Sequence, residues 1–313
     1  MWTRGVFILG LISSAMFACK SRDERMSKLA DEVKSSIVSP GNIGGALVVG
    51  DTDLTGNRNV AGGLPKSASS RSQALGDVVL SRGQFVVAFD SKSKVPAWTS
   101  WQIVSNDVGD AERSNEFRSD DILNKYLEIR TRELGVTPQD YVGSCFDKGH
   151  QSPSADRTRS SHDNGATFYM SNMAPQTAFL NRRIWKDLEG YSRDLVKKDG
   201  RKLQVYAGSI LRDGREGIGR AKDIQVPEAF YKVIGIYADE KRSDPMGYIA
   251  VIMPNVTADG SDPLSERAKN CTEQKKGGSG SMSTKWESYR VTLKDIELKT
   301  GVTFPQLAGV SAL

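Results

Sequence analysis

The stretch FDKGHQSPSAD, residues 146–156, decides how this chain is read. One of only two histidines in 313 residues, His150, sits there beside an acid, a lysine and a glycine. Histidine is the side chain whose ordinary pKa lies closest to neutrality, which suits it to accept a proton at physiological pH. A lone histidine is more often a satisfied surface or core residue than a catalyst, so its neighbours have to carry the argument. The other histidine, His162, lies in the polar run RSSHDNG and reads as a loop residue.

A general base needs an electrophile, a group that stabilises developing charge, and something that holds it in place. The segment SNMAPQTAFLNRRIW supplies Gln176 and Asn181, and Glu189 and Arg193 follow. Ile184, Leu188, Tyr191 and Leu195 recur at a helical period, which predicts a helix over 181–197 with those four residues on its core face. At about 100° per residue, Glu189 and Arg193 fall on a second, polar side. Asn181 and Glu189 then stand about 12 Å apart along the axis, a gap that water can partly close. Such an arrangement suits magnesium, which takes oxygen ligands and keeps several of its waters. The plainer reading makes Asn181 a helix N-cap and Glu189 with Arg193 an exposed i,i+4 ion pair. The three cysteines and two histidines show no zinc-ligand spacing, and neither a phosphate-cradling G-x-x-x-x-G-K-[ST] loop nor a G-x-S-x-G turn is present.

Outward from this centre, a chain with 38% apolar and 26% charged residues has an ordinary globular composition and enough length to bury a substantial core. Val78–Leu80 and Phe85–Phe89 flank Ser81-Arg82-Gly83 as a hairpin, and 98–104 is a further strand. The runs LQVYAGSI (203–210), YKVIGIYA (231–238) and YIAVIMP (248–254) are predicted as central strands from their length and β-branched content. Residues 51–71 are rich in loop formers, and KKGGSGSMS (275–283) reads as a flexible insertion. Strands, one well-marked helix, then more strands predict an α+β fold.

The N-terminus, MWTRGVFILGLISSAMFACK, has a basic start, an apolar run from Val6 to Ile12 and then small residues. It is short for a membrane span and reads as an export signal over 1–18. Two cleavage readings stand: a lipobox-like Met16-Phe17-Ala18-Cys19 with a lipid anchor at Cys19, or ordinary cleavage after Ala15. Residues 19–44 read as a tether, with a short helix around Met26, Leu29 and Val33, and 45–313 as one domain. In an oxidising compartment Cys145 and Cys271 are either a disulfide or two buried thiols. The formal charge of +5 points weakly to a polyanionic partner.

Asp147-Lys148-Gly149-His150, the following QSPSADRT, ATFYMSNMAPQ, and Asn181-x-x-x-Trp185-x-x-x-Glu189 resemble, in order, the DNA/RNA non-specific endonuclease family of the ββα-metal fold. VVLSRGQFVVAFDSKSKVPAWTSWQI and ERSNEFRSDD resemble its N-terminal strands and arginine-bearing loop, and VPEAFYKVI, YIAVIMPN and YRVTLKDIELKTGVTF its C-terminal half. The resemblance runs from about residue 45 to 307. It implies a central, mainly antiparallel sheet flanked by helices. It also implies that His150 activates water, that Asn181 is the direct protein ligand of Mg2+ (Mn2+ substituting), and that Glu189 orients metal-bound water. Arg113 would contact phosphate, with Arg193 and Gln176 in support and Arg118 as the alternative if the loop is shifted. Lys148 stands where the family usually has arginine, which keeps the charge and loses the planar two-pronged donor. Asp147 reads as a structural anchor.

Hydrolysis of a stable phosphodiester anion requires a delivered hydroxide, neutralised charge and a supported leaving oxygen. The family chemistry implies 5′-phosphate and 3′-hydroxyl ends on DNA and RNA, with little sequence specificity because backbone contacts carry no base information. The competing reading, resting on Lys148, is a nucleic-acid-binding surface lipoprotein with weakened catalysis.

Overall fold

The computed structural model of the protein describes residues 42–43, 46–68, 76–130 and 135–313. The export signal, Cys19 and nearly all of the tether with its short helix lie outside the described residues.

The strands, in chain order, are β1 (Asn42–Ile43), β2 (Ala46–Gly50), β3 (Lys66–Ser67), β4 (Val78–Ser81), β5 (Val86–Asp90), β6 (Val95–Ile103) and β7 (Asp147–His150). There follow β8 (Met173–Gln176), β9 (Lys202–Ile210), β10 (Gly217–Ile218), β11 (Ile224–Gln225), β12 (Ala229–Tyr237), β13 (Gly247–Pro254) and β14 (Val302–Thr303). Among the described residues, eight of these form one sheet in the order β1-β2-β4-β5-β6-β9-β12-β13. Every neighbouring pair in it is antiparallel except β2 with β4.

Both faces of the sheet are covered, and the side-chain alternation of its strands shows it. Val78, Leu80, Val87 and Phe89 enter one core, whereas Val79, Val86 and Ala88 enter the other. The first core takes the helix Trp185–Lys197 and the hairpin β7–β8; the second takes Ile296, Phe304 and Leu307 from the C-terminal segment. The Ser81-Arg82-Gly83 turn joins β4 to β5 as expected, closed by Arg82 N–H donating to the Phe85 carbonyl at 3.0 Å. With helices flanking a mainly antiparallel sheet, the architecture is α+β.

Four expectations are corrected in detail. The segment β13 is the last strand of the sheet, not a central one, and its outer edge is covered by bridges from Tyr248 to Ala312 and Val251 to Arg290. The predicted helix over 181–197 begins inside a π-helical turn, Leu180–Ile184, that interrupts a helix already started at Ala178, and runs as α-helix from Trp185 to Lys197. Ile184, Leu188 and Leu195 pack against the core as expected, joined by Trp185 and Val196, whereas Tyr191 is 39% exposed and lies against Trp286. Segment 275–283 is pinned: Met282 N–H bonds the Ala258 carbonyl at 3.1 Å, and Gly280 packs so closely on Ala258 that a Cβ there would meet its carbonyl oxygen at 2.2 Å. His162 sits in the first turn of a short helix, Ser161–Ala166, with Ser160 as its N-cap, and is exposed.

The loop formers of 51–71 hide a buried polar knot. The Asn59 carbonyl accepts from Ser100 Oγ at 2.6 Å and from Gln204 Nε2 at 2.8 Å, and its side-chain oxygen accepts from the Gln102 amide and Arg157. These bonds satisfy backbone that a loop crossing the sheet would otherwise leave unpaired.

Candidate active site

The motif Asp147-Lys148-Gly149-His150 forms β7, which pairs with β8 in the register Asp147↔Gln176, Gly149↔Ala174 and His150↔Met173. Alternate residues of a strand share a face. Lys148 and His150 accordingly line one cleft of about 750 Å3, together with Arg113, Asn181, Arg182, Lys186, Glu189 and Arg193. Gly149 lies on the opposite side, where a Cβ would stand 2.4 Å from Gln176 Cγ. The glycine of the motif thus serves close packing and not an unusual backbone angle.

His150 is only 8% exposed, with its ring edge-on to Phe168 at 4.9 Å and tilted against Phe117 at 5.6 Å. Burial, and secondarily the Arg113 guanidinium, push its pKa down to about 3. The imidazole is therefore neutral at physiological pH, the form that can take a proton. Its buried Nε2 has no hydrogen-bond partner.

Asn181 lies inside the π-helical turn. Its backbone N–H donates to the Thr177 carbonyl at 2.9 Å, so it is not the N-cap that the plainer reading supposed. Its Nδ2 donates to Asp147 Oδ2 at 2.9 Å, which commits the nitrogen end of the amide and leaves Oδ1 as the available donor atom. Asp147 also takes a two-pronged contact from Arg182, both bonds at 2.7 Å. The acid of the motif thereby ties the strand carrying His150 to the turn carrying Asn181, the anchoring role expected of it.

Arg113 lines the cleft, held by Asn115 Oδ1 at 2.7 Å and by Ser154 Oγ, and stacked 4.9 Å from the Phe168 ring centre. Burial lowers its pKa somewhat, with Glu189 opposing. Arg118, the alternative, stacks on Tyr169 and is not among the cleft-lining residues, whereas Arg113 is. Lys148 Nζ rests 4.9 Å from the Phe117 ring centre.

Glu189 and Arg193 both reach the cleft, but not as an exposed ion pair. Arg193 donates to Asp156 Oδ1 at 3.0 Å, and Glu189 Oε1 lies 3.5 Å from the buried ammonium of Lys232. Burial raises the Glu189 pKa, offset in part by Lys232. Gln176, expected in support of the site, does not line the cleft: it is fully buried behind Gly149, with both amide atoms unpaired.

Sequence reasoning missed Lys232, Arg182, Lys186 and the buried Asp156, paired with Arg193, and Arg157, paired with Asp107. Lys232 had a signal, as the one charge in the run YKVIGIYA. Arg157 donates to the carbonyls of Gln84 and Gln102 and to Asn59, partners too distant in sequence to be seen without coordinates.

Five basic side chains against two acidic ones line the cleft, a balance that favours a polyanion. Among the described residues no three His, Cys, Asp or Glu side chains cluster as a metal cage. The oxygen donors present, Asn181 Oδ1 and the Glu189 carboxylate, fit a hard divalent cation that retains most of its water. Cys145 and Cys271 are joined as a disulfide with Cα atoms 4.6 Å apart, linking the segment before β7 to the helix Arg267–Lys276.

Comparison with known proteins agrees with this geometry. The family profile described as DNA/RNA non-specific endonuclease matches residues 67–310. A nuclease of Nostoc sp. is 31% identical over 248 residues, 77% of this chain and 78% of that protein. Nuclease C1 of Cunninghamella echinulata is 27% identical over 75% of this chain and 85% of its own length. Human mitochondrial endonuclease G is 30% identical over 59% of this chain and 62% of that protein. A crystal structure of the EndoG/EndoGI complex superposes with a TM-score of 0.60 at 23% identity, covering 82% of this chain and 94% of that one, which supports the fold. The chain belongs to the DNA/RNA non-specific endonuclease family.

Proposed function

We propose that the chain is an exported, Mg2+-dependent, sugar-non-specific endonuclease that hydrolyses phosphodiester bonds in DNA and RNA, with Mn2+ able to replace Mg2+. The observation that carries this reading is the convergence of His150, with its Nε2 left without a hydrogen-bond partner, and the tethered amide of Asn181 on one positively lined cleft.

The His150 imidazole takes a proton from the attacking water as the new P–O bond forms. Arg113, braced by Asn115, Ser154 and Phe168, and Lys148 hold the phosphate oxygens as negative charge builds. Asn181 and Glu189 would hold the cation, and Arg193 keeps Asp156 in place behind them. When bound, the cation neutralises charge on the phosphate and supports the departing 3′ oxygen. Breaking of the P–O3′ bond then leaves 5′-phosphate and 3′-hydroxyl ends. The contacts available are to phosphate, so little base preference follows.

Export is supported by the N-terminal stretch and by a disulfide of the kind that persists in oxidising compartments; the mature chain begins either at a lipidated Cys19 or after Ala15. Supercoiled plasmid and a structured RNA, each incubated with the protein and Mg2+ with or without chelator, test the function. Nicking of both substrates that chelator stops is expected. Retarded but uncut DNA would favour a binding protein instead.

A further inference from the structure

The strand β12 reads AFYKVIGIY, and all nine residues are buried. Phe230 and Ile234 belong to the core on the active-site face, and Lys232, at the alternate position between them, points the same way. It is 1% exposed. Its Nζ lies 4.0 Å from the Trp185 ring centre, 5.7 Å from that of Trp101, and 3.5 Å from Glu189 Oε1. An ammonium this deep in a sheet is costly, and an apolar side chain of similar length would fill the space between two tryptophans at least as well. Its position calls for a reason other than packing.

The surrounding bonds supply one. Trp101 Nε1 donates to Asp156 Oδ2 at 3.0 Å, and Arg193 takes Asp156 Oδ1 at 3.0 Å. The arginine one turn along from Glu189 bonds Asp156 and acts on Glu189 only from a distance, and Lys232 is in ion-pair contact with Glu189. Its contact engages Oε1 and leaves Oε2 as the other acceptor on a carboxylate that lines the cleft. The ammonium is seated over the Trp185 ring and near that of Trp101, a fixed point against which one carboxylate oxygen is set.

We infer that Lys232 is a positioning residue for Glu189: from behind the cleft it fixes the rotamer of the carboxylate so that the oxygen it does not engage is presented to the divalent cation and its waters. Lys232 touches neither nucleic acid nor cation. The inference rests on the function proposed above, and its test separates the two.

The experiment is a double-mutant cycle of Lys232→Met and Glu189→Gln in the full chain, read by plasmid cleavage and by Mn2+ binding without DNA. Wild-type cleavage that chelator stops tests the function; the cycle tests Lys232. Lys232→Met is expected to lower kcat about 30-fold with KM for DNA within twofold, and to weaken Mn2+ binding about tenfold. Lys232→Arg, which keeps the cation, is expected to recover part of both losses. In the Glu189→Gln background Lys232→Met should add less than twofold to either loss, and there it leaves no carboxylate unpaired, so folding is retained. Equal losses with glutamate or glutamine at 189, or unchanged Mn2+ affinity and kcat in a folded Lys232→Met protein, would overturn the inference. Should the wild-type protein fail to cut, the Mn2+ readings still decide whether Lys232 acts through Glu189.

Discussion

The two faces of β12 answer to different demands. On one side Tyr231 and Val233 pack with Tyr206, Phe304 and Leu307 in an apolar layer that touches no part of the cleft. On the other, Phe230 and Ile234 flank Lys232, and beyond it lie Glu189, Asp156, Arg193 and His150. The strand is the same and its period of two is the same, yet one face is spent on packing and the other holds charged and polar groups that burial disfavours. Buried ionic groups are weak contributors to stability and strong determinants of where neighbouring atoms sit. The comparison teaches that both sides of the sheet are packed, and that only the side facing the cleft also holds buried charged groups.

The comparison can be broken most directly at His150. His150→Ala should lower kcat/KM by about 1,000-fold in the plasmid assay, within the usual range for loss of a general base, with circular dichroism unchanged. Near-wild-type cutting by the metal-replete variant would remove histidine from the mechanism. The same residue makes a pH prediction. With a folded pKa of about 3 against an ordinary 6.5, His150 binds fewer protons in the folded state than in the unfolded state between those values. Stability should therefore fall as pH drops from 6.5 towards 3 and be independent of this group above that window. Denaturant melts of wild type and His150→Ala across the window should converge at low pH, because the variant lacks this slope.

The far face should show the reverse behaviour. Phe304→Ala removes a ring packed against Tyr206 and Tyr231 and is expected to cost about 3 kcal/mol of stability while leaving kcat unchanged at temperatures where the variant is folded. A large drop in kcat for the folded variant would show the faces to be coupled.

A smaller effect is expected from Cys271→Ser. The disulfide joins the cleft-wall segment 141–148 to the helix that contributes Gln274, so its loss should lower Tm, by roughly 2 kcal/mol of stability, and raise KM more than it lowers kcat. Equal KM with a lowered Tm would confine the bridge to a stabilising role.

The smallest effect sharpens the comparison at the cleft itself. Lys148→Arg restores the planar donor usual in the family and should raise kcat/KM on DNA a few-fold. No change, or a loss, would indicate that Lys148, seated over Phe117, already meets the phosphate as well as the pocket allows.

Much of the site was legible before any coordinates. The motif Asp147 to His150 is local, and a strand's alternation alone puts Lys148 and His150 on one face. Asn181, Glu189 and Arg193 stand out on the helix downstream of His150, the resemblance adds Arg113, and the structure brings all four to the cleft. Gln176 was misjudged because its distance from His150 in sequence says nothing about which side of a two-stranded ribbon its amide takes. The helix keeps the predicted face at Ile184, Leu188 and Leu195; Tyr191 departs from it because its ring lies against Trp286, a partner distant in sequence, and the π-turn around Asn181 leaves no mark on hydrophobic spacing. The 275–283 segment has the composition of a free loop, but its glycines serve close contact with Ala258.

The sequence by itself determined the long strands of the main sheet, the α+β class, the family and the candidate proton acceptor, since each depends on residue type and short-range order. Only the tertiary structure decided which charges are paired with which: Lys232 with Glu189, Arg193 with Asp156, Asp147 with Asn181 and Arg182. Such pairings join residues tens of positions apart, and the energy of each depends on separation and burial, quantities that exist only once the chain has folded.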